Sequence, residues 1–363
     1  MKKVYIYFIP ILILINGCEE NPPLMVEGNT HLRIEAYWHS VPADSTSELL
    51  PLRNAKVILS SMYGMMIHQA DINGCFEIKG IPSAVYSISF RMVHPEDESI
   101  QLVYNKKDVM IISGTTVSDS VIAKPITSSG IAINEIYSVG PVNSIYFFFD
   151  QYIELYNMSD SIKYLDGMMV MRFSGNSAGQ GPGADEYADG NIQGVTYVFK
   201  FPGSPGETNH PFYPKTFLVL ASDAVNHKNT VATSIDLSTA DWEFYNQYSP
   251  QDIDNPNVSN LINMKSESTV DFLISLTGDV VIVSSGVDSV WQDGIDITTV
   301  IDGVEYQSSA NLKKTLDDRV DRGFSYSPPK YSGQSMRRRE PGMDTNDATL
   351  DWEIIPQPTP GYH

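Results

Sequence analysis

One short motif in the sequence could supply a catalytic nucleophile. Gly175, Ser177 and Gly179 follow the spacing G-x-S-x-G, which presents a reactive serine in many hydrolases. That turn needs a helix directly after the serine, because the helix holds the hydroxyl at the edge of a sheet. Here Gln-Gly-Pro-Gly follows Gly179, and glycine and proline oppose helix formation. We therefore predict a glycine-rich loop without catalysis; a cell-surface hydrolase stays as the weaker alternative.

A second loop carries oxygen ligands suited to a hard cation. Asp185, Glu186 and Asp189 lie close together, and carboxylates are the ligands that Ca²⁺ prefers. The spacing departs from the EF-hand pattern because Tyr187 takes the place of an oxygen ligand. Two interpretations stay open, a calcium site and a solvated acidic loop. No other cofactor is predicted, since the seven histidines form no close ligand pair.

Four aromatic residues cluster in a long segment between predicted strands: Trp242, Phe244, Tyr245 and Tyr248. Aromatic rings on loops provide a large contact area at low entropic cost, so they could contact a glycan or a protein. The alternative is that they hold the insert against a sheet.

The N-terminus indicates where the protein is located. A basic start and an apolar run over residues 4–15 are typical of a signal peptide, and the run is too short to span a bilayer. Residues 15–18 resemble the bacterial lipobox, which implies cleavage after Gly17 and lipidation of Cys18. Residues 18–26 then form a tether, and its two glutamates resemble the export signal of Bacteroidota lipoproteins. The resemblance implies a lipid anchor in the outer membrane at the cell surface, or otherwise at the periplasmic face.

Charge and cysteine content limit the partners. The chain has a net charge of −20; without residues 1–17 the basic residues fall from 24 to 22 against 44 acidic ones. Such an excess of acid argues against nucleic-acid binding, which needs a positive face. With Cys18 lipidated, Cys75 has no partner, so no disulfide framework is predicted.

Alternating apolar residues over 27–125 predict short strands at regular spacing, as in a β-sandwich. Asp71 to Gly74 supplies a turn that could close a hairpin. The segments around Asn54, Asp71 to Phe76 and Gly80 to Pro82 resemble the carboxypeptidase-regulatory-like domain. That resemblance implies an accessory sandwich without catalysis.

Residues 128–363 show a second series of strands, which includes a predicted strand FLISL at 272–276. Alternation places Ile131, Ile133 and Glu135 on one face. The segments 133–136, 152–157, 165–167, 217–221, 287–290, 333–339, 351–352 and 358–361 resemble, in this order, the lamin-tail domain, an immunoglobulin-like sandwich whose closing strand would be 333–339. Long insertions distinguish this region from that domain. With them, the chain resembles a family of Bacteroidota lipoproteins described only by a domain of unknown function.

Three consecutive arginines, Arg337 to Arg339, lie in the predicted closing strand. Alternation places Met336 and Arg338 on one face, and Arg337 and Arg339 on the other. In so acidic a chain we expect the arginines to pair with carboxylates, among them Asp344 or Asp347. An anionic-ligand site is the alternative.

These features predict an all-β protein with two immunoglobulin-like or transthyretin-like β-sandwiches in tandem, the second with long loop insertions. We expect a non-catalytic lipoprotein that acts as a binding, adhesion or scaffold module for an extracellular glycan or protein. The alternative is an accessory lipoprotein of a TonB-dependent nutrient or metal uptake system with an outer-membrane receptor as partner.

Overall fold

The computed structural model describes residues 30–41, 46–97, 100–127, 129–173, 190–250, 252–265 and 271–363. In these ranges the chain is almost entirely β-structure arranged in several sheets, as the sequence predicts. The helical elements described are one short α-helix, α1 (Ala348–Asp351), and the 3₁₀ turns His227–Asn229, Trp291–Asp293 and Ile297–Thr299. Within the described ranges, no helix has the length and apolar character that a membrane crossing requires.

The described N-terminal strands pair with one another in a single sheet. Its hydrogen-bonded order is β2-β1-β8-β7-β6-β3-β4, and β5 pairs with β1. Strand β8 is long enough to pair first with β1 and then, by its last residues, with β7. The strands are β1 (His31–His39), β2 (Leu49–Pro51), β3 (Lys56–Ser61), β4 (Gly64–Gln69), β5 (Cys75–Lys79), β6 (Ala84–Val93), β7 (Ile100–Ile111) and β8 (Thr116–Thr127).

The turn from Asp71 to Gly74 does not close a hairpin, which corrects the prediction. Strand β4 pairs with β3 whereas β5 pairs with β1, so the turn carries the chain from one part of the sheet to another. The Asp71 carboxylate accepts hydrogen bonds from the amides of Asn73 and Cys75, at 2.8 and 2.7 Å. Gly74 has φ +74°, and a side chain there would meet the carbonyl oxygen of Ala36. This close approach requires glycine.

The C-terminal strands pair only among themselves in the described ranges. They form a seven-stranded sheet, β18-β17-β16-β10-β9-β24-β25, a six-stranded sheet, β19-β14-β12-β20-β22-β23, and the pairs β11-β15 and β13-β21. The strands are β9 (Ile131–Tyr137), β10 (Tyr152–Asn157), β11 (Lys163–Tyr164), β12 (Met169–Phe173), β13 (Asn191–Ile192), β14 (Val195–Lys200), β15 (Pro211–Phe212), β16 (Phe217–Ala221), β17 (Trp242–Glu243), β18 (Ser259–Asn260), β19 (Ile262–Asn263), β20 (Gly278–Ser284), β21 (Ile295–Asp296), β22 (Val300–Gln307), β23 (Ser325–Tyr326), β24 (Ser335–Arg338) and β25 (Trp352–Ile355).

Both large C-terminal sheets are buried on two faces. Side chains from each sheet share one core, which includes Ile133, Ile153, Val170 and Val283. The opposite face of the six-stranded sheet packs against residues from other segments, such as Leu316. The opposite face of the seven-stranded sheet is covered by the insertion, with Ala224 and Leu237 among the contacting residues. The described parts of the insertions therefore add layers to the fold, which explains why β9, β10 and β20 are buried along their whole length.

The segment FLISL at 272–276 is not a strand, although its apolar pattern predicts one. The side chain of Gln151 takes the place of a neighbouring strand there. Its Oε1 accepts from the amide of Ile274, and its Nε2 donates to the carbonyl of Ile274, each at 2.9 Å. The hydroxyl of Ser222 donates to the carbonyl of Phe272 at 2.9 Å. Because side chains satisfy this backbone, it stays extended without joining a sheet.

A register shift in the pairing of β9 with β10 also changes a predicted face. Glu135 lies opposite Glu154, but the next pair is Ile133 with Leu155. The extra residue on β9 reverses the alternation, as a β-bulge does. Glu135 therefore lies on the face opposite Ile133, where the hydroxyl of Tyr152 donates to its carboxylate at 2.6 Å. The prediction that Glu135 shares a face with Ile131 and Ile133 is wrong for this reason.

Candidate functional site

Three bulky residues have a backbone conformation that their side chains disfavour. Tyr146, Tyr331 and Lys215 have φ values of +60°, +56° and +57°. The left-handed conformation costs a residue with a Cβ about 1–2 kcal/mol. Such strained residues concentrate at binding and active sites, where the surrounding structure holds them in place. These three residues lie in two separate places, which are therefore candidate binding sites.

Two of the strained residues contact each other on the protein surface. The rings of Tyr146 and Tyr331 meet edge to face with centroids 5.6 Å apart. Tyr146 is 72% exposed, and beside it in the same loop Ile145 and Val142 are 64% and 60% exposed. We call Val142, Ile145, Tyr146 and Tyr331 the aromatic surface. Large exposed apolar side chains that cluster in this way mark interaction sites more often than single ones do.

The loop beneath the aromatic surface is fixed by one asparagine side chain. Asn143 Nδ2 donates to the carbonyls of Pro141 and Phe147, at 2.7 and 3.0 Å. Its Oδ1 accepts from the amides of Ile145 and Phe147, at 3.0 and 2.9 Å. The amide of Tyr331 donates to the carbonyl of Val139 at 2.8 Å, which ties the two halves of the surface together. These bonds organise the exposed side chains before any ligand arrives.

The third strained residue, Lys215, lines a cavity of about 350 Å³ between the N-terminal and C-terminal regions. We call this cavity the junction cleft. Lys56 and Arg91 come from strands β3 and β6, and Lys215 lies across from them. The remaining lining residues are Met92, Val93, Gly130, Met158, Ser159, Asp160, Pro341, Gly342 and Met343. Small-molecule sites form preferentially at such junctions and have volumes in this range.

The arginine run is part of the fold, as the alternation predicts. Met336 and Arg338 are buried on one face of β24. Arg338 Nη2 lies 2.7 Å from Asp302, and Nη1 lies 3.4 Å from Asp351 and 3.7 Å from Asp344. Arg337 and Arg339 each lie within 3.6 Å of Glu353 on the neighbouring strand instead. The predicted partner Asp344 therefore lies next to Arg338, not next to the two outward-facing arginines.

A pair of facing carboxylates lies under the C-terminal segment. Glu135 and Glu154 are fully buried, and burial raises the pKa of Glu154 to about 8. The amides of Thr359 and Gly361 donate to them, at 3.0 Å to Glu135 and 2.6 Å to Glu154. Paired acids could perform general acid–base catalysis only if a substrate reached them. In this arrangement they hold the end of the chain against the sheet.

A second group of acids lies between strands β16 and β20. Burial and then the neighbouring carboxylates of Asp252 and Asp271 raise the pKa of Asp223 to about 8. Burial is also the main cause that raises the pKa of Asp252 to about 7. Asp223 Oδ1 and Asp252 Oδ1 are buried without a hydrogen-bond partner. Within the described ranges, no group of three or more His, Cys, Asp or Glu side chains is placed to hold a metal ion.

The four aromatic residues singled out in the sequence divide into two groups. Trp242 and Phe244 are buried, at 8% and 0% exposure. Trp242 contacts Phe201 edge to face, and Phe244 stacks on Phe272 with centroids 4.0 Å apart. Both rings therefore hold the insertion against the sheet, as the packing alternative requires. Tyr245 is partly exposed and Tyr248 is 44% exposed, so only these two have a ring face accessible to a ligand.

Other predicted site residues lie outside the described ranges. They are Gly17 and Cys18 at the N-terminus, the loop residues Asp185, Glu186 and Asp189, and Ser177. The aromatic surface, by contrast, was missed in the sequence. Its signal was the run Ile145 to Phe149, which has no alternation and precedes a strand.

Comparison with known proteins adds the family context. No curated protein matches the chain. Two solved structures are similar to the chain only at low TM-scores. One, from Pseudomonas aeruginosa, is described as a "putative carbohydrate binding protein" (13% identity, TM-score 0.21, 27% of this chain and 90% of that chain). The other, from Bacteroides uniformis ATCC 8492, has the same description (12% identity, TM-score 0.19, 71% and 89%).

The fold is similar to that of a crystal structure of a DUF4876 family protein from Bacteroides thetaiotaomicron VPI-5482. The TM-score is 0.56 at 20% identity, and the match covers 89% of this chain and 94% of the other. Residues 214–297 match the family model described as "Protein of unknown function (DUF4876)". These residues include Lys215 of the junction cleft and the acids around Asp223. The chain is thus similar to this family in two respects, the match of residues 214–297 to its model and the overall fold.

Proposed function

We propose that the protein is a non-catalytic outer-membrane lipoprotein, displayed at the cell surface, that binds an extracellular glycan through the aromatic surface. The observation that carries this proposal is the contact between Tyr146 and Tyr331, two exposed or partly exposed tyrosines that both have positive φ. Without a ligand, the fold bears the cost of their conformation and gains little burial in return. Because the folded protein already bears that cost, a ligand that covers the rings binds without a further cost of ordering them.

The size and chemistry of the aromatic surface favour a glycan over a protein. A stable protein interface buries about 800 Å² on each partner and involves roughly 20–30 residues per side. The aromatic surface consists of four residues, and residues 140–149 contain no charged side chain. Flat rings with adjacent hydroxyls suit the apolar faces and polar edges of a few neutral sugar units.

The proposed location rests on the N-terminal sequence. Cleavage after Gly17 and lipidation of Cys18 would place the folded part on a tether at residues 18–26. We interpret the N-terminal region as the carboxypeptidase-regulatory-like sandwich and the C-terminal region as the lamin-tail-like sandwich. In support of two sandwiches, described strands up to Thr127 and from Ile131 onwards pair only within their own region. The first would serve as a spacer and the second as the binding module.

A glycan array probed with the full chain tests the function. We expect retention on neutral polysaccharide fragments and about tenfold weaker binding for Tyr146→Ser, because a stacked ring contributes on the order of 1 kcal/mol beyond its buried area. Tyr213→Ser is the matched control, since Tyr213 is 57% exposed elsewhere in the C-terminal region. Equal loss in both variants, or no loss in Tyr146→Ser, would contradict the proposal. Retention of a protein partner through Tyr146, without glycan binding, would assign the surface to a protein.

The junction cleft favours a second candidate, an accessory lipoprotein of a TonB-dependent uptake system. A cavity of about 350 Å³ is suited to a small molecule that a receptor then imports. Co-purification from detergent-solubilised outer membranes would test this. Recovery of a TonB-dependent receptor barrel in constant ratio to the protein supports uptake, and its absence from cross-linked and native samples alike contradicts it.

A further inference from the structure

We propose that the junction cleft is a binding site for a small organic anion, in which a carboxylate or phosphate group is attached to an apolar body. Four features of the cleft carry this inference: its charge, its apolar lining, the strained lysine and its position between two regions. The site is separate from the aromatic surface, and the inference does not depend on glycan binding there.

The charge of the cleft is opposite to that of the protein. Its lining includes three cationic side chains, Lys56, Arg91 and Lys215, and one carboxylate, Asp160. In a chain with a net charge of −20, this is an unusual local concentration of positive charge. The field inside a cleft of one sign is focused by its low-dielectric walls, so it attracts a ligand of the opposite sign. The cationic side chains of the lining therefore favour an anion over a cation.

Each cationic group also interacts with a carboxylate of the protein. Lys56 forms an ion pair with Glu340, which links the two regions of the chain. Lys215 Nζ lies 3.1 Å from Asp160, but both side chains are largely exposed, at 52% and 82%. A pair this exposed contributes less than about 1 kcal/mol, so an incoming anion displaces it at small cost. Arg91 on β6 has its Nη1 3.5 Å from the carbonyl of Gly342 and also interacts with the carboxylate of Asp344.

The walls between these charges are apolar and adaptable. Met92, Met158 and Met343 line the cavity together with Val93 and Pro341. Methionine side chains are unbranched and polarisable, so they adapt to aromatic and aliphatic bodies of different shapes. A free inorganic anion would leave these walls without a partner. The combination of three cations and three methionines instead fits a ligand that is anionic at one end and apolar at the other.

The backbone of Lys215 supports a ligand role for this residue. Its φ of +57° lies in the left-handed region, which is unfavourable for a residue with a Cβ. If the position of the lysine side chain did not matter, the backbone would be expected to avoid this conformation. The conformation is fixed by its amide, which donates to the carbonyl of Asn157 at 2.8 Å. The ammonium group of Lys215 donates to the carbonyl of Met158, and both residues line the cavity.

Saturation-transfer NMR with the full chain, in one detergent at constant concentration, tests this site with three proton-bearing probes and with inorganic phosphate, whose affinity is measured by competition against phenyl phosphate. Phenyl phosphate and benzoate each have an apolar ring and an anionic group; benzyl alcohol lacks the charge, and inorganic phosphate lacks the ring. We expect at least one ring-bearing anion to bind about tenfold more tightly than benzyl alcohol and inorganic phosphate, since a charge-assisted contact is worth roughly a factor of ten. The comparison of phenyl phosphate with benzoate then identifies the head group.

Three variants assign the binding to the cleft. Lys215→Gln should weaken the anionic probe about tenfold and leave benzyl alcohol unchanged. Lys56→Gln gives a second test from the other wall if Lys215→Gln does not fold. Lys124→Gln, at an exposed lysine outside the cleft, should change nothing. Equal binding of charged and uncharged rings overturns the proposal, as does equal binding of inorganic phosphate or unchanged affinity in both cleft variants. Loss through Tyr146→Ser instead would place the probe on the aromatic surface.

Discussion

Replacement of Arg338 by methionine should destabilise the protein strongly, because three carboxylates lie within 4 Å of its guanidinium group. The Arg338 side chain is 2% exposed and its Nη2 lies 2.7 Å from Asp302. Its Nε donates to the carbonyl of Ile133 at 2.7 Å, and Nη1 donates to that of Met343 at 2.5 Å. Asp351, at 3.4 Å, is 1% exposed. The substitution leaves these acceptors buried without their donor.

The magnitude follows from which groups remain unpaired. Removal of one partner from a buried ion pair costs about 3–5 kcal/mol, most of which is the penalty of the charge left behind. The two carbonyls that lose a donor are part of that loss and are not added to it. Methionine has a similar length, so packing changes contribute little. We expect the free energy of unfolding at pH 8 to fall by about 3–5 kcal/mol.

The pH dependence gives a sharper test than the magnitude alone. Burial raises the pKa of Asp351 to about 7 even with the arginine present, and burial raises the pKa of Asp302 as well. Without the positive charge both values rise further, so the folded variant binds more protons than the folded wild type between pH 5 and 8. By linkage the variant's deficit shrinks as the pH falls through that range. We expect a recovery of at least about 1 kcal/mol at pH 5.

Urea unfolding at pH 5 and pH 8 measures both effects, with Arg337→Met as the matched control. The Arg337 side chain is 19% exposed and lies 3.6 Å from Glu353, so its loss should cost less than about 1 kcal/mol. The reasoning is refuted if Arg338→Met costs no more than the control. It is also refuted if the deficit of Arg338→Met is the same at both pH values.

Three further predictions concern other parts of the fold. Deletion of residues 356–363 should lower the free energy of unfolding by about 1–3 kcal/mol, because Glu135 and Glu154 lose their amide donors; an unchanged urea midpoint would contradict this. The stability of Asp223→Asn relative to wild type should increase as the pH rises from 5 to 8. The folded pKa of Asp223 is raised to about 8, so the wild type loses stability over this range, whereas the asparagine variant has no proton to lose. A constant difference in urea melts at the two pH values would exclude that cause. Tyr146→Gly should leave stability unchanged or raise it by up to about 1 kcal/mol, since glycine adopts φ +60° without cost; a clear loss in thermal unfolding would show that the ring is structural.

The regular strands follow from local patterns. Strand β1 coincides with the alternating segment His31–His39, and Arg338 faces the core as the alternation of β24 requires. In each case the side chain's own position in the strand decides its burial. That information is local, so the sequence contains it.

The errors arose where a distant residue decides the outcome. The FLISL segment has a strand pattern, but the side chain of Gln151 satisfies the backbone of Ile274 from a position 123 residues away in sequence. Glu135 changes face because of a bulge that depends on its pairing with β10. Trp242 has no exposed ring, because it lies on β17 and its side chain is buried in the core that the two large sheets share. None of these contacts leaves a pattern in the neighbouring residues.

The two candidate sites could not be predicted from the sequence, because a strained backbone also leaves no pattern in the neighbouring residues. Among the described residues, six other than glycine have positive φ, and three of these are asparagine or aspartate, which tolerate this conformation. The other three are Tyr146, Tyr331 and Lys215, and all three lie on the aromatic surface or in the junction cleft. Strain of this kind persists only where the surrounding structure holds the residue in place, and it concentrates at binding and active sites. If both surfaces were only structural, replacement of these residues by asparagine would retain the same backbone at lower cost. The location of the strained residues, more than the fold class, therefore supports the proposal of two separate ligand sites.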